Sequence, residues 1–154
     1  GVQTCALPIF LVFNRRNDLD LETFNVTEIL EQLFQEEFFM LNAENFTYDY
    51  IPCDHIAYLD MNLISIRRVF DNIFSNLSKY ADKSEPIKIR CYVEDQNLVI
   101  TIRNKISINL KSVSSTGIGL KTCTKIIEMH NGKLSTEKTD GSFIITISLN
   151  VKLI

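Results

Sequence analysis

Asn72, Asn76 and Lys79 stand at i, i+4 and i+7, two carboxamides and an ammonium at helical spacing. With the segment around Arg67 to Asp82 read as a helix, they share one stripe, opposite an apolar stripe of Leu63, Ile66, Phe70, Ile73 and Leu77. A polar helix face is usually just solvated. Amide oxygens beside a cation also suit a metal-bound polyphosphate, because hard oxygen donors match Mg²⁺. The helix alone leaves both readings open. Asn104 stands at the end of the strand-patterned run LVITIR, and Ser115-Thr116-Gly117-Ile118-Gly119-Leu120 places two glycines at a helix start. Free N–H groups at such a start can face an anion. The GxG pattern alone is weak. The three pieces in this order and spacing carry more weight together.

Other chemistries are excluded by composition. The net charge of −3 and pI of about 5.4 argue against nucleic acid as the main partner. Cys5, Cys53, Cys91 and Cys123 are widely spaced, with no CxxC or Cys/His cluster, which argues against a zinc site. Cys91 and Cys123 lie in apolar patterns and read as buried thiols of a reducing compartment. The longest apolar run, residues 6–13, falls short of the roughly 18 residues of a membrane span. It also lacks the basic start of a signal peptide. His55, expected on a strand, and His130, expected at a helix terminus where the dipole favours a cation, both read as structural.

The positioning elements follow from patterning. Leu21 to Val26 reads as extended. Thr27 is a candidate N-cap, with Glu28 in the first turn of a core helix over roughly 27–42. Asn45 to Ile51 and His55 to Leu59 alternate as strands, which suggests a hairpin through Pro52-Cys53-Asp54. Asp60 or Asn62 caps the Asn72/Asn76 helix, which ends by Lys83 to Pro86. Strands over 87–93 and 98–102 flank the turn Asp95-Gln96-Asn97. Residues 105–116 read as a loop, and the helix after Gly117 runs to about Met129. His130-Asn131-Gly132 stops it, and two strands, 133–139 and 142–149, meet at Asp140-Gly141. Paired strands separated by helices predict an α+β fold: a mixed, mostly antiparallel sheet with three main helices on one face.

The residues then carry a resemblance. NIFSNLSKYAD resembles the N-box, TGIGLKTCTKIIEMHNGKL the G2 box and its helix, and GSFIITISL the last strand of the catalytic ATP-binding domain of sensor histidine kinases. YLDMNLISIRRVFDNIF resembles the approach to that N-box. The chain is similar over roughly residues 21–152 to this branch of the GHKL ATPases, and most similar to kinases of low-GC Gram-positive bacteria with a shortened lid. The resemblance implies a two-layer α+β sandwich of the Bergerat type, binding ATP and Mg²⁺. Residues 21–154 would form the catalytic domain, and 10–20 a remnant of the preceding dimerisation helix or linker. The first nine residues, GVQTCALPI, resemble a translated sequencing adapter rather than native sequence.

Carried over position by position, Asn76 would coordinate Mg²⁺, with Asn72 assisting at the metal or phosphates. Lys79 would neutralise phosphate charge, Tyr80 would lie against adenine or ribose, and Asn104 would accept from the adenine amino group. Thr116, Gly117, Ile118, Gly119 and Leu120 would bring backbone to the triphosphate. The family has Asp where this chain has Asn104, and glycines where it has Ile106 and Ile108. Loss of the charge-assisted bond costs about 1 kcal/mol, several-fold in affinity. Relatives that hydrolyse ATP carry a Glu where this chain has Asn72, and Asp71 projects about 100° away. Without that base, hydrolysis is disfavoured and transfer to a nucleophilic histidine is favoured. The resemblance places that histidine on an N-terminal dimerisation domain, so the fragment alone would not autophosphorylate. It implies a homodimer, a response regulator as partner, and a cytoplasmic position in a membrane-anchored kinase. The alternative is a non-catalytic interaction module with a degenerate pocket on the same fold.

Overall fold

The computed structural model describes residues 19–108 and 118–154. The readings made for residues 1–18, and for Thr116 and Gly117, lie outside them. Strand β1 (Glu22–Asn25) runs directly into helix α1 (Val26–Ala43). The cap is Asn25 rather than Thr27: its Oδ1 accepts from Glu28 N at 3.1 Å. Thr27 is already helical, and its hydroxyl is used elsewhere. It donates to His55 O at 2.7 Å and accepts from Ala57 N at 3.0 Å.

Strand β2 (Tyr48–Ile51) and strand β3 (Ala57–Met61) follow, but they do not form the expected hairpin. β3 pairs antiparallel with β1 and with the short β8 (Lys152–Leu153) in a three-stranded sheet. β2 pairs in parallel with β4 (Ile87–Glu94) at the edge of a five-stranded sheet. The reason is aromatic packing. Tyr48 stacks on Phe38 at 4.1 Å, and Tyr50 meets Phe34 edge-on at 5.5 Å, so α1 holds β2 against the larger sheet. Residues 52–56 cross from one sheet to the other; His55 lies here, exposed and outside any strand.

Helix α2 (Leu63–Tyr80) is capped by Asn62, whose Oδ1 accepts from Ser65 N at 2.9 Å. Its inner face buries Ile66, Val69, Phe70, Ile73, Phe74 and Leu77. β4 and β5 (Asn97–Lys105) turn through Asp95 and Gln96, both left-handed at φ 50° and 62°. Such φ values give a turn whose twist matches the strands. Helix α3 (Ile118–Met129), β6 (Lys133–Thr139) and β7 (Ser142–Asn150) complete the order. The larger sheet runs β2-β4-β5-β7-β6, antiparallel except at β2–β4. Register stacks Ile89, Ile102 and Ile145 in one row and Cys91, Ile100 and Ile147 in the next. These rows form one core with the buried faces of all three helices, a two-layer α+β sandwich.

His130 is structural, though not as a dipole-stabilised cation. It is buried, and burial pushes its pKa down, so the ring is neutral. Nδ1–H donates to Ile126 O at 2.8 Å and Nε2 accepts from Asn62 N at 3.1 Å. Gly132 follows, where the chain passes close under β7. A Cβ there would stand 2.6 Å from Ser148 O and 2.7 Å from Leu149 Cδ2. Gly132→Ala therefore lowers stability by about 1–3 kcal/mol, since backbone must move; denaturant unfolding with no change in midpoint would contradict this.

Between α1 and α2, Glu37 has a buried oxygen, Oε2, without a hydrogen-bond partner. Burial, then Asp71 and Glu36, push its carboxyl up to about 7, opposed by Arg67. The unfolded chain releases this proton near 4.5 while the fold keeps it until about 7. This group's contribution is therefore full below 4.5 and is lost as pH rises towards 7. Glu37→Gln removes that slope, so its Tm gain over the parent is larger above pH 7 than below pH 4.5. A pH-independent difference would refute the placement of this carboxyl.

Candidate functional site

Three backbone hydrogen bonds bring the end of β5 against the end of α2 and the β6–β7 turn. Asp82 N donates to Lys105 O at 2.8 Å, Ser107 N to Tyr80 O at 2.9 Å, and Ile106 N to Gly141 O at 2.7 Å. A bridge between Ala81 and Ile106 adds to them. The result is a cavity of about 250 Å³. Asn76 and Tyr80 enter it from α2 above the apolar Ile73 and Leu77. Asn104 and Ile106 come from the end of β5, Leu120 from α3, Phe143 and Ile145 from β7, and Lys138 from β6. Strand register explains the far wall: Asn104 faces Phe143, and Phe143 faces Lys138.

Asn104 is 5% exposed, and its Nδ2 donates to Lys105 O at 2.9 Å. Its carbonyl oxygen is then the group left to offer a ligand. Asn76 and Tyr80 are half-buried, each with a polar end at the cavity. Asn72 lies one turn earlier and is turned to α3, where its Nδ2 reaches Cys123 Sγ at 3.8 Å. It does not line the cavity, and neither does the exposed Lys79. Gly119 opens the α3 side, with nothing within 4 Å of the position a Cβ would take. Leu120 lies at the cavity wall; Ile118 begins the helix. Ile106 narrows the cavity, whereas Ile108 is exposed outside it.

Sequence reasoning missed Lys138 and Phe143. Both sit in strands whose alternation looks ordinary. The Asp140-Gly141 turn fixes their mutual register, but only the β5–β7 pairing shows that Asn104 lies beside them. Among the described lining residues there is one cation, Lys138, and no carboxylate. Such a set suits an anionic, partly planar ligand: an amide and a tyrosine from α2, an amide and an ammonium on the strand wall, and apolar side chains between.

Residues 61–153 match the family described as histidine kinase-, DNA gyrase B-, and HSP90-like ATPase. Sensor histidine kinase YrkQ of Bacillus subtilis (strain 168) is 30% identical over 146 residues, covering 94% of this chain and 34% of that protein. Cyanobacterial phytochrome B of a Nostoc species is 25% identical over 146 residues, covering 82% of this chain and 19% of that protein. The chain thus spans about a third or less of the length of these relatives. Among solved structures, Acinetobacter baumannii histidine kinase AdeS aligns with a TM-score of 0.69 at 18% identity, over 98% of this chain and 79% of that one. The catalytic domain of histidine kinase ThkA gives 0.69 at 18%, over 86% and 96%. At such identities the structural likeness is one of fold. The matched segment begins at the last residue of β3 and contains every element that builds the cavity, so the chain belongs to the histidine kinase-, DNA gyrase B-, and HSP90-like ATPase family.

Proposed function

We propose that this chain is the ATP-binding catalytic part of a two-component sensor histidine kinase. The observation that carries the proposal is the convergence of Asn76, Tyr80 and Asn104 on one cavity beside the start of α3. Similarity to YrkQ over nearly the whole chain supports the kinase branch. In this reading the Asn76 amide oxygen holds Mg²⁺, which fits because Mg²⁺ takes hard oxygen ligands and keeps several waters. Mg²⁺ supplies charge neutralisation on the phosphates. Asn72, one turn along the same helix, assists once its amide turns from Cys123. Tyr80 and Phe143 flank the base, and Asn104 accepts from its amino group. Lys138 and Lys79 offer ammonium groups to anionic oxygens. Gly119, with Thr116, Gly117, Ile118 and Leu120, brings the α3 N-terminus to the triphosphate.

The described lining offers no carboxylate to activate water, and position 72 is Asn. Both favour phosphoryl transfer to an external nucleophile over hydrolysis. The acceptor is a histidine on a dimerisation domain of the intact kinase, and the phosphoryl group passes on to a response regulator. The solved complex of histidine kinase ThkA with response regulator protein TrrA, in which ThkA aligns at a TM-score of 0.68 and 17% identity, is consistent with such a partner. The intact kinase is a homodimer anchored in a membrane. Among the described residues no helix is long and apolar enough to cross one.

Calorimetric titration with ATP and Mg²⁺ tests the site. The chain is expected to bind, and Asn76→Ala to abolish the Mg²⁺-dependent part. No binding at millimolar nucleotide, or unchanged affinity in the variant, would sink the proposal and favour a non-catalytic module. Asn104→Asp is a second test. It restores a charge-assisted acceptor for the adenine amino group, worth about 1 kcal/mol, so ATP binds several-fold more tightly. It also sets a carboxylate against Lys105 O, so the ligand-free chain loses about 1–3 kcal/mol of stability. Weaker ATP binding in a folded Asn104→Asp chain would remove Asn104 from the base pocket.

A further inference from the structure

The segment between β2 and β3 carries chemistry that the cavity does not use. Cys53, Asp54 and His55 are consecutive, and one ligand atom from each lies within 4.8 Å of the other two. His55 Nδ1 is 2.7 Å from Asp54 Oδ1. Cys53 Sγ is half-buried and lies 3.5 Å from His55 O. The turn is held from outside the triplet, since Thr27 accepts from Ala57 N and donates to His55 O. On the inner side lies Cys91 of β4, 5% exposed. Both sulfurs border a cavity of about 380 Å³ beneath α1.

A thiolate, an imidazole and a carboxylate form a mixed donor set. Mg²⁺ and Ca²⁺ take oxygen ligands; borderline ions such as Zn²⁺ take sulfur and nitrogen as well. Tetrahedral Zn²⁺ at ordinary bond lengths sets its ligand atoms about 3.3–3.8 Å apart. Asp54 and His55 are exposed and have room to rotate towards Cys53 Sγ, and Thr27 holds the backbone at His55 and Ala57. We propose that Cys53, Asp54 and His55 form a site for a divalent transition metal of the Zn²⁺ class. The fourth position is open to water. The bound ion would rigidify the segment that joins the two sheets. This site is independent of the nucleotide cavity.

Titration of the reduced chain with Co²⁺ in a Cys5→Ser background tests it, because thiolate ligation gives a near-ultraviolet charge-transfer band and tetrahedral Co²⁺ gives visible bands. One Co²⁺ per chain is expected, displaced by Zn²⁺. Cys53→Ser abolishes the charge-transfer band, and His55→Ala weakens Co²⁺ by about ten-fold or more. Cys123→Ser and Asn76→Ala leave the spectrum as it was. Absence of the band, its survival in Cys53→Ser, or unchanged affinity in His55→Ala would each overturn the assignment. The two variants alter partly or wholly exposed side chains, and circular dichroism of each confirms that loss of the band is not loss of the fold.

Discussion

Helix α2 is fixed at both ends by hydrogen bonds from distant parts of the chain, and the site depends on this. At its start the neutral ring of His130 accepts from Asn62 N while donating to Ile126 O, which locks the end of α3 to the cap of α2. At its end Tyr80 O accepts from Ser107 N, and Asp82 N donates to Lys105 O. The helix cannot slide or rotate without breaking one of these. Asn76 and Tyr80 therefore face Asn104 at a set distance before any ligand arrives. The His130 clamp needs an unprotonated Nε2. Burial lowers its pKa below 6.5, so the unfolded chain takes up a proton first as pH falls. The clamp contributes fully above that value and weakens below it.

The two faces of α2 were legible because helical period separates them: the stripe of Ile66, Phe70, Ile73 and Leu77 is buried, and Asn76 stands half-buried at its edge. The β4–β5 and β6–β7 hairpins were legible from turn residues that tolerate positive φ. The partners of β2 and β3 were not. Alternation tells which residues face the core, not which strand lies alongside. What separates these strands is contact between Phe34 and Phe38 on α1 and Tyr50 and Tyr48 on β2, a long-range fact. The site divides along the same line. Asn76, Tyr80, Asn104 and Leu120 could be read from motif order, and they meet in one cavity. Asn72 and Lys79 share the helix stripe but not the cavity: Asn72 is turned to Cys123 of α3, and Lys79 is exposed. Lys138 and Phe143 needed the sheet register.

The isoleucine at position 106 shows how the pocket can change while the fold does not. Its structural work is done by backbone: its N–H goes to Gly141 O, and its bridge to Ala81 holds the end of β5 beside α2. A glycine would make the same bonds. The side chain adds only volume inside the cavity, so its cost falls on the ligand and not on the strand. Asn104 is similar, since its NH₂ satisfies Lys105 O within the ligand-free chain. Both positions line the cavity from the end of β5. Asn76, across the cavity on α2, is untouched by either. Under the proposed function, the base would be met by the end of β5 together with Tyr80, and the metal-bound phosphates by Asn76 of α2. If the proposal holds, a loss of about 1 kcal/mol at the β5 wall would scale nucleotide binding without displacing the metal ligand. On that proposal, the geometry for transfer would persist in a pocket that holds its nucleotide loosely.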